Sequence, residues 1–161
     1  MNSSLLAKYY GAEGKQALLE ALMAQPLVQD EDLAAHVVKR VRLEEIARGA
    51  AIIHEGSAES DFFFILDGEF QVMVAGHVIA VRRTGEHVGE LAMADPSAPR
   101  TASVVAARDS LVARISEAEF SGIAVVCPRL WRRVALELAK VVRAEDEAMR
   151  HGAGHAITQA A

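Results

Sequence analysis

Seven short β-prone segments crowd into the middle of this chain, and their brevity does most to limit what it can fold into. They run from Leu43 to Ala47, Ala51 to His54, Phe62 to Leu66, Phe70 to Val74, Val78 to Arg82, Ala102 to Ala106 and Leu111 to Ile115. Each is punctuated by glycine or a polar turn. Asp67-Gly68, Ala75-Gly76 and Arg108-Asp109 are suited to tight turns. Strands this short and closely spaced, paired antiparallel, predict a β-roll or jelly-roll-like barrel. The flanks change period. Leu18, Leu19, Leu22 and Met23 recur at helical spacing until Pro26 stops the run. A second helix is predicted after Asp30, which can cap it, with Leu33, Val37, Val38 and Val41 on one face. Beyond the strands, Ser116 and Glu119 form a capping-box signature. Pro128 then opens a helix predicted to run to about Arg150. Its apolar stripe, Leu130, Val134, Leu138, Val141 and Ala148, suits packing on the barrel or pairing with a second copy through residues 128–150.

The expected class is therefore α+β. N-terminal helices occupy 1–41, the roll 42–115 and C-terminal helices 116–150, and a mobile tail is expected over 151–161. Composition supports one folded domain, with 161 residues of which 52% are hydrophobic. A net charge of −5 argues against a general nucleic-acid binder. Cys127 is the only cysteine, which excludes an intramolecular disulfide and cysteine-based zinc or iron–sulfur sites, and suits a reducing cytosol. With no signal-peptide pattern and no apolar run of membrane-spanning length, a soluble cytoplasmic protein without membrane contact is expected.

The chemistry concentrates in residues 85–104. A turn flanked by Gly85 and Gly89 opens onto a helix-compatible run, Glu90 to Ala94, and a proline-containing loop then delivers Arg100 and Thr101 to an apolar strand. That order suits a small anion carrying a sugar. Backbone N–H groups at the helix start face the anion, and Arg100 adds a permanent cation with a planar donor fork. A carboxylate such as Glu90 would repel a phosphate, but it accepts readily from a neutral hydroxyl pair such as a ribose edge.

Gly89-Glu90-Leu91-Ala92 followed by Pro99-Arg100-Thr101-Ala102-Ser103-Val104 resembles the phosphate-binding cassette of cyclic nucleotide-binding domains, as in catabolite activator proteins, cyclic-nucleotide-dependent kinases and cyclic-nucleotide-gated channels. Gly49, Glu55-Gly56, the Phe62 to Glu69 segment and Gly85 resemble the same family's β-roll landmarks. The resemblance implies cAMP or cGMP as ligand, with its phosphate on Arg100 and the Glu90–Ala92 backbone and its ribose on Glu90. Thr101 is either a strand residue or a hydroxyl that meets the phosphate, and Ala102 follows it into the strand. Val88 adjoins the cassette and is a candidate for the base pocket. Val72, Val74, Ile79 and Val81 fit the core of the strands instead. Laid on the catabolite activator family without a gap, the two lid positions that meet the base fall at Glu145 and Asp146.

Other classes were weighed against this one. His54, His77 and His87 invite a metal-dependent cupin-like enzyme, but two histidines spaced by one residue and followed by glutamate are missing, so neither metal nor enzymatic activity is expected. A ligand-free β-roll adaptor is the other alternative. Too few residues follow Arg150 for a helix-turn-helix, so direct DNA binding is not expected. The expected output is a bacterial signal-transduction sensor that acts on an effector protein, whose identity the sequence leaves open, by moving its C-terminal helix.

Overall fold

The computed structural model describes residues 4–151; the expected mobile tail lies, but for His151, outside the described residues. A 3-10 turn, Leu5–Tyr9, leads into α1 (Gly11–Met23) and α2 (Glu31–Val38). The strands follow as β1 (Arg42–Ile46), β2 (Ala51–Ile53), β3 (Phe62–Asp67), β4 (Glu69–Val74), β5 (His77–Arg83) and β6 (His87–Val88). Then come α3 (Glu90–Ala94), β7 (Ser103–Ala106), β8 (Ser110–Ile115), α4 (Glu117–Val126) and α5 (Arg129–Arg150). The strands form two four-stranded antiparallel sheets, ordered β1-β8-β3-β6 and β2-β7-β4-β5. This is the expected α+β roll with flanking helices.

Why β3 reads as an unbroken apolar run, Phe62 to Leu66, follows from its position. Both of its faces are buried. Phe63 and Ile65 point between the sheets, where they meet Ile53, Phe70, Val72, Val88 and Val104. Phe62, Phe64 and Leu66 point to the helices, where they join Leu22, Leu33, Phe120, Leu130 and Val134. Alternation along one strand therefore serves two cores.

Local signals set the helix ends. The Asp30 carboxylate accepts from Leu33 N–H at 2.8 Å and caps α2, and the Ser116 hydroxyl accepts from Glu119 N–H at 3.2 Å and caps α4. Ala75-Gly76 forms the β4–β5 hairpin, both residues at positive φ (49° and 79°). Asp67-Gly68 does not join a hairpin. Gly68 carries the chain from one sheet to the other, and a side chain there would collide with Ser110. Along α5, Leu130 and Val134 are buried and Leu138 packs against the same core, so the first part of its stripe faces the roll.

Candidate functional site

Gly89 sits between β6 and α3 at φ 103°, a backbone region that L side chains rarely adopt. A Cβ there would lie 2.8 Å from the Asp61 carbonyl oxygen and 3.3 Å from Arg100 Nη1. The residue is thus glycine for two reasons, its turn and the close approach of the arginine. Backbone bonds hold Arg100 in turn: its N–H donates to the Ser57 carbonyl at 2.9 Å, and its carbonyl accepts from Gly56 N–H at 2.8 Å.

The Arg100 side chain is only 5% exposed. Its Nη2 donates to the Asp61 carbonyl, but Nε and Nη1 are buried with no hydrogen-bond partner. Burial pulls its pKa below the ordinary value, while Asp61, Glu59 and Glu90 act in the opposite direction. A guanidinium cannot shed its charge at physiological pH. A buried cation with two idle donor directions is a site shaped for an incoming anion.

Glu90 opens α3 and is also 5% exposed. Burial pushes its carboxyl up to about 7, and Oε2 has no hydrogen-bond partner. His87, in β6, lies beside it with Nε2 3.9 Å from Glu90 Oε2. Burial pulls this imidazole down to about 4, so it is neutral at pH 7. Both residues line a cavity of about 320 Å³ between the end of the roll and α5. Arg82 and Glu86 come to it from the roll, and Glu137, Lys140, Val141 and Ala144 from α5. Lys140 Nζ donates to Glu137 Oε1 at 2.7 Å.

The structure thus gathers Gly89, Glu90 and Arg100 at one corner, with Glu90 facing the cavity and Arg100 outside its wall. Val88 is buried between the sheets with Ala102, and Leu91 is half-buried. Ala92 N–H already donates to the Gly89 carbonyl at 3.2 Å, so it is engaged within the turn. Thr101 is half-buried just before β7. Glu145 and Asp146 are not in the cavity wall: Glu145 buries an unpartnered Oε1, and Asp146 pairs with Arg150 one turn on. The α5 face that meets the cavity is set by Glu137, Lys140, Val141 and Ala144, spaced three and four apart as one helix face requires. That spacing brings Glu137 and Lys140 to the cavity, positions to which neither the apolar stripe nor the comparison with the catabolite activator family points. His87, which the sequence offers only as one of three scattered histidines, is placed beside Glu90.

The histidines His54, His77 and His87 do not form a metal-type cluster. Among the described residues the one group of three such ligands within 4.8 Å of one another is Asp32, His36 and Cys127, and Asp32 there accepts from Arg129 at 2.9 Å. Among the described residues, no helix is long and apolar enough to cross a membrane.

Comparison with known proteins adds three observations. The family profile of the cyclic nucleotide-binding domain matches residues 43–125. The Pycsar effector proteins PaPycTIR of Pseudomonas aeruginosa and XpPycTIR of Xanthomonas perforans are 40% and 39% identical to 83% and 84% of this chain, respectively. The chain spans 44% and 45% of their lengths, less than half of each. The crystal structure of a cyclic nucleotide-binding domain from Methylobacillus flagellatus shares the fold, with TM-score 0.69 and 19% identity over 92% of this chain and 94% of that one.

Proposed function

The chain belongs to the cyclic nucleotide-binding domain family, and from that premise we propose that it binds a 3′,5′-cyclic nucleotide at the Gly89–Arg100 corner. The phosphate lies against the Arg100 guanidinium, the ribose 2′-hydroxyl meets Glu90, and the base enters the cavity beneath α5. One observation carries the reading: a buried, permanently charged guanidinium with Nε and Nη1 unpartnered, next to a glycine that leaves it room. The phosphate oxygens supply the acceptors that Nε and Nη1 lack there. Because Ala92 N–H is engaged within the turn, Arg100 does most of the phosphate's work. Thr101 adds a hydroxyl at the edge of the same corner.

The output follows from what roofs the cavity. A base seated between the roll and α5 contacts Glu137, Lys140 and Val141, so it favours one placement of that helix over others. The ligand shifts this equilibrium only by its differential affinity for the closed arrangement. The relatives are named effector proteins, and by analogy the moved helix drives an effector activity that lies outside the matched region. Val142 and Met149, seven residues apart and so on one face of α5, are exposed and give that partner, or a second copy of the chain, an apolar surface.

Titration calorimetry tests the assignment, using the 3′,5′-cyclic monophosphates of adenosine, guanosine, cytidine and uridine. Saturable binding of at least one is expected. Arg100→Ala removes a charge-assisted contact of about 1.5–3 kcal/mol, so affinity should fall about 10- to 150-fold. Equal affinity in wild type and Arg100→Ala would overturn the site; no binding of any of the four would overturn the function.

A further inference from the structure

The His87–Glu90 pair invites a role beyond lining the cavity. His87 is fixed from two sides. Its backbone pairs with Phe64 in the β3–β6 register, and its ring stacks on Phe62 with centroids 5.3 Å apart and planes at 28°. A ring held that firmly presents Nε2 at a set point, 3.9 Å from Glu90 Oε2. This is about 1 Å beyond hydrogen-bond length, so the two groups adjoin without bonding. Both side chains also carry unmet demand, since His87 Nδ1 and Glu90 Oε2 are buried without partners.

We propose that His87 is a positioning residue for ribose recognition: when the ligand enters, its Nε2–H donates to Glu90 Oε2 and holds the carboxylate so that Oε1 accepts the ligand's 2′-hydroxyl. The inference rests on the reading that Glu90 meets the ribose. It also gives that reading something it lacks, because a carboxylate buried this deeply is half protonated near neutral pH and does not by itself keep an acceptor turned to the sugar. The neutral imidazole supplies one donor, and in the Nε2–H form its Nδ1 remains an acceptor. The charged groups around the pair are Arg100 at the same corner, Arg82 from β5, Glu86 preceding β6, and Glu137 and Lys140 from α5; the last two already satisfy each other.

The consequence is a preference for ribose over 2′-deoxyribose that depends on residue 87. The test measures affinities of wild type, His87→Phe, His87→Gln, Glu90→Gln and Arg100→Ala for the four cyclic ribonucleotides and their 2′-deoxy analogues, with thermal denaturation of each unliganded variant alongside. Wild type should prefer the ribose form about tenfold, the factor that 1.4 kcal/mol represents. His87→Phe keeps the stack on Phe62 but loses the donor, so its ribose preference should collapse toward unity. His87→Gln retains an N–H donor and should retain the preference. His87→Met is the second apolar replacement should the phenylalanine not fold. Equal loss for both sugar forms would make His87 structural and overturn the proposal. A preference erased in Glu90→Gln but intact in His87→Phe would overturn it while leaving the site standing. Absence of any ribose preference in wild type would overturn both this role and that of Glu90.

Discussion

Replacing Arg100 with methionine should stabilise the unliganded protein while destroying its binding. The guanidinium is 5% exposed, and Nε and Nη1 find no partner. Each unsatisfied buried donor costs about 1–3 kcal/mol, and removing two of them relieves that cost. The opposing loss is the bond from Nη2 to the Asp61 carbonyl, worth about 1.5–3 kcal/mol as a charge-assisted contact. Methionine fills a similar volume without desolvated charge, the kind of exchange that is often neutral or stabilising. The balance favours the variant by about 1–2 kcal/mol. At about 2–4 °C per kcal/mol for a domain of this size, its Tm should rise by about 2–8 °C. Urea denaturation of both proteins without ligand gives the free-energy difference, and titration of the cyclic nucleotide panel gives the loss of binding. A variant less stable than wild type by more than about 1 kcal/mol would refute the reasoning, because the guanidinium would then be satisfied in the unliganded protein.

Other consequences concern pH, the helix anchors and the lid. The folded protein holds a proton on Glu90 up to about pH 7, against an ordinary value of 4.5, so that group's contribution raises stability as pH falls from 7 towards 4.5. His87 runs the other way: its folded value of about 4 lies below 6.5, so its contribution is lost as pH falls from 6.5 towards 4. The two oppose each other between pH 4.5 and 6.5. Urea midpoints should therefore vary little with pH in wild type, rise on acidification in His87→Phe and fall on acidification in Glu90→Gln; identical profiles in all three would rule out the buried pair as their source. Asp30→Ala removes the α2 cap at a cost of about 1 kcal/mol and takes one ion-pair partner from Arg129 and Arg133, which keep Asp32 and the Val28 carbonyl respectively. Denaturation should show a loss at least that large, and a smaller one would mean that the cap and the anchors are redundant. Trp131, the only tryptophan, meets Phe120 edge-on at 5.7 Å on the fastened part of α5, so its emission should stay nearly constant on ligand binding if only the part beyond Leu138 moves. A large change at saturation would mean that the hinge lies before Leu138.

The juxtaposition of Gly89, Glu90 and Arg100 was legible in the sequence because its determinants are local. Gly89, Glu90 and Arg100 fall within twelve residues, and the turn conformation needs only the glycine. The strands were readable for the same reason, each bounded by its own turn residues. What could not be read depended on partners distant in sequence. Asp67-Gly68 has the composition of a hairpin turn, yet it passes between sheets because β3 pairs with β6 and β8 while β4 pairs with β5 and β7. Strand β6 holds two residues and exists only because β3 supplies its partner, and that placement turns His87 from a nondescript histidine into a neighbour of Glu90. Which face of α5 meets the cavity was unreadable for a related reason. A gapless comparison carries residues along a helix but does not fix how the helix sits on its roll, and here it is Glu137 to Ala144 that face the cavity.

The way α5 is held explains how such a lid could respond without the domain coming apart. Its first turns are fastened twice over. Leu130 and Val134 are buried in the helical core, while Arg129 and Arg133 pair with Asp30 and Asp32 at 2.9 Å next to the α2 cap. Beyond Leu138 the attachment changes character. The residues facing the roll are Lys140, Val141 and Ala144 around a cavity, and Val142 and Met149 stand 64% and 69% exposed. Apolar burial contributes about 25 cal/mol per Å², so the first half of the helix has a large restoring force and the second half has little. A base filling the cavity adds its contacts where the protein's own packing is weakest. The hinge implied by this gradient lies near Leu138, and hydrogen exchange should divide there. Amides from Leu130 to Leu138 should be protected with or without ligand, and those from Val141 onward should gain protection only when it binds. Uniform protection along α5 in the unliganded protein would leave the helix no room to act as a lid.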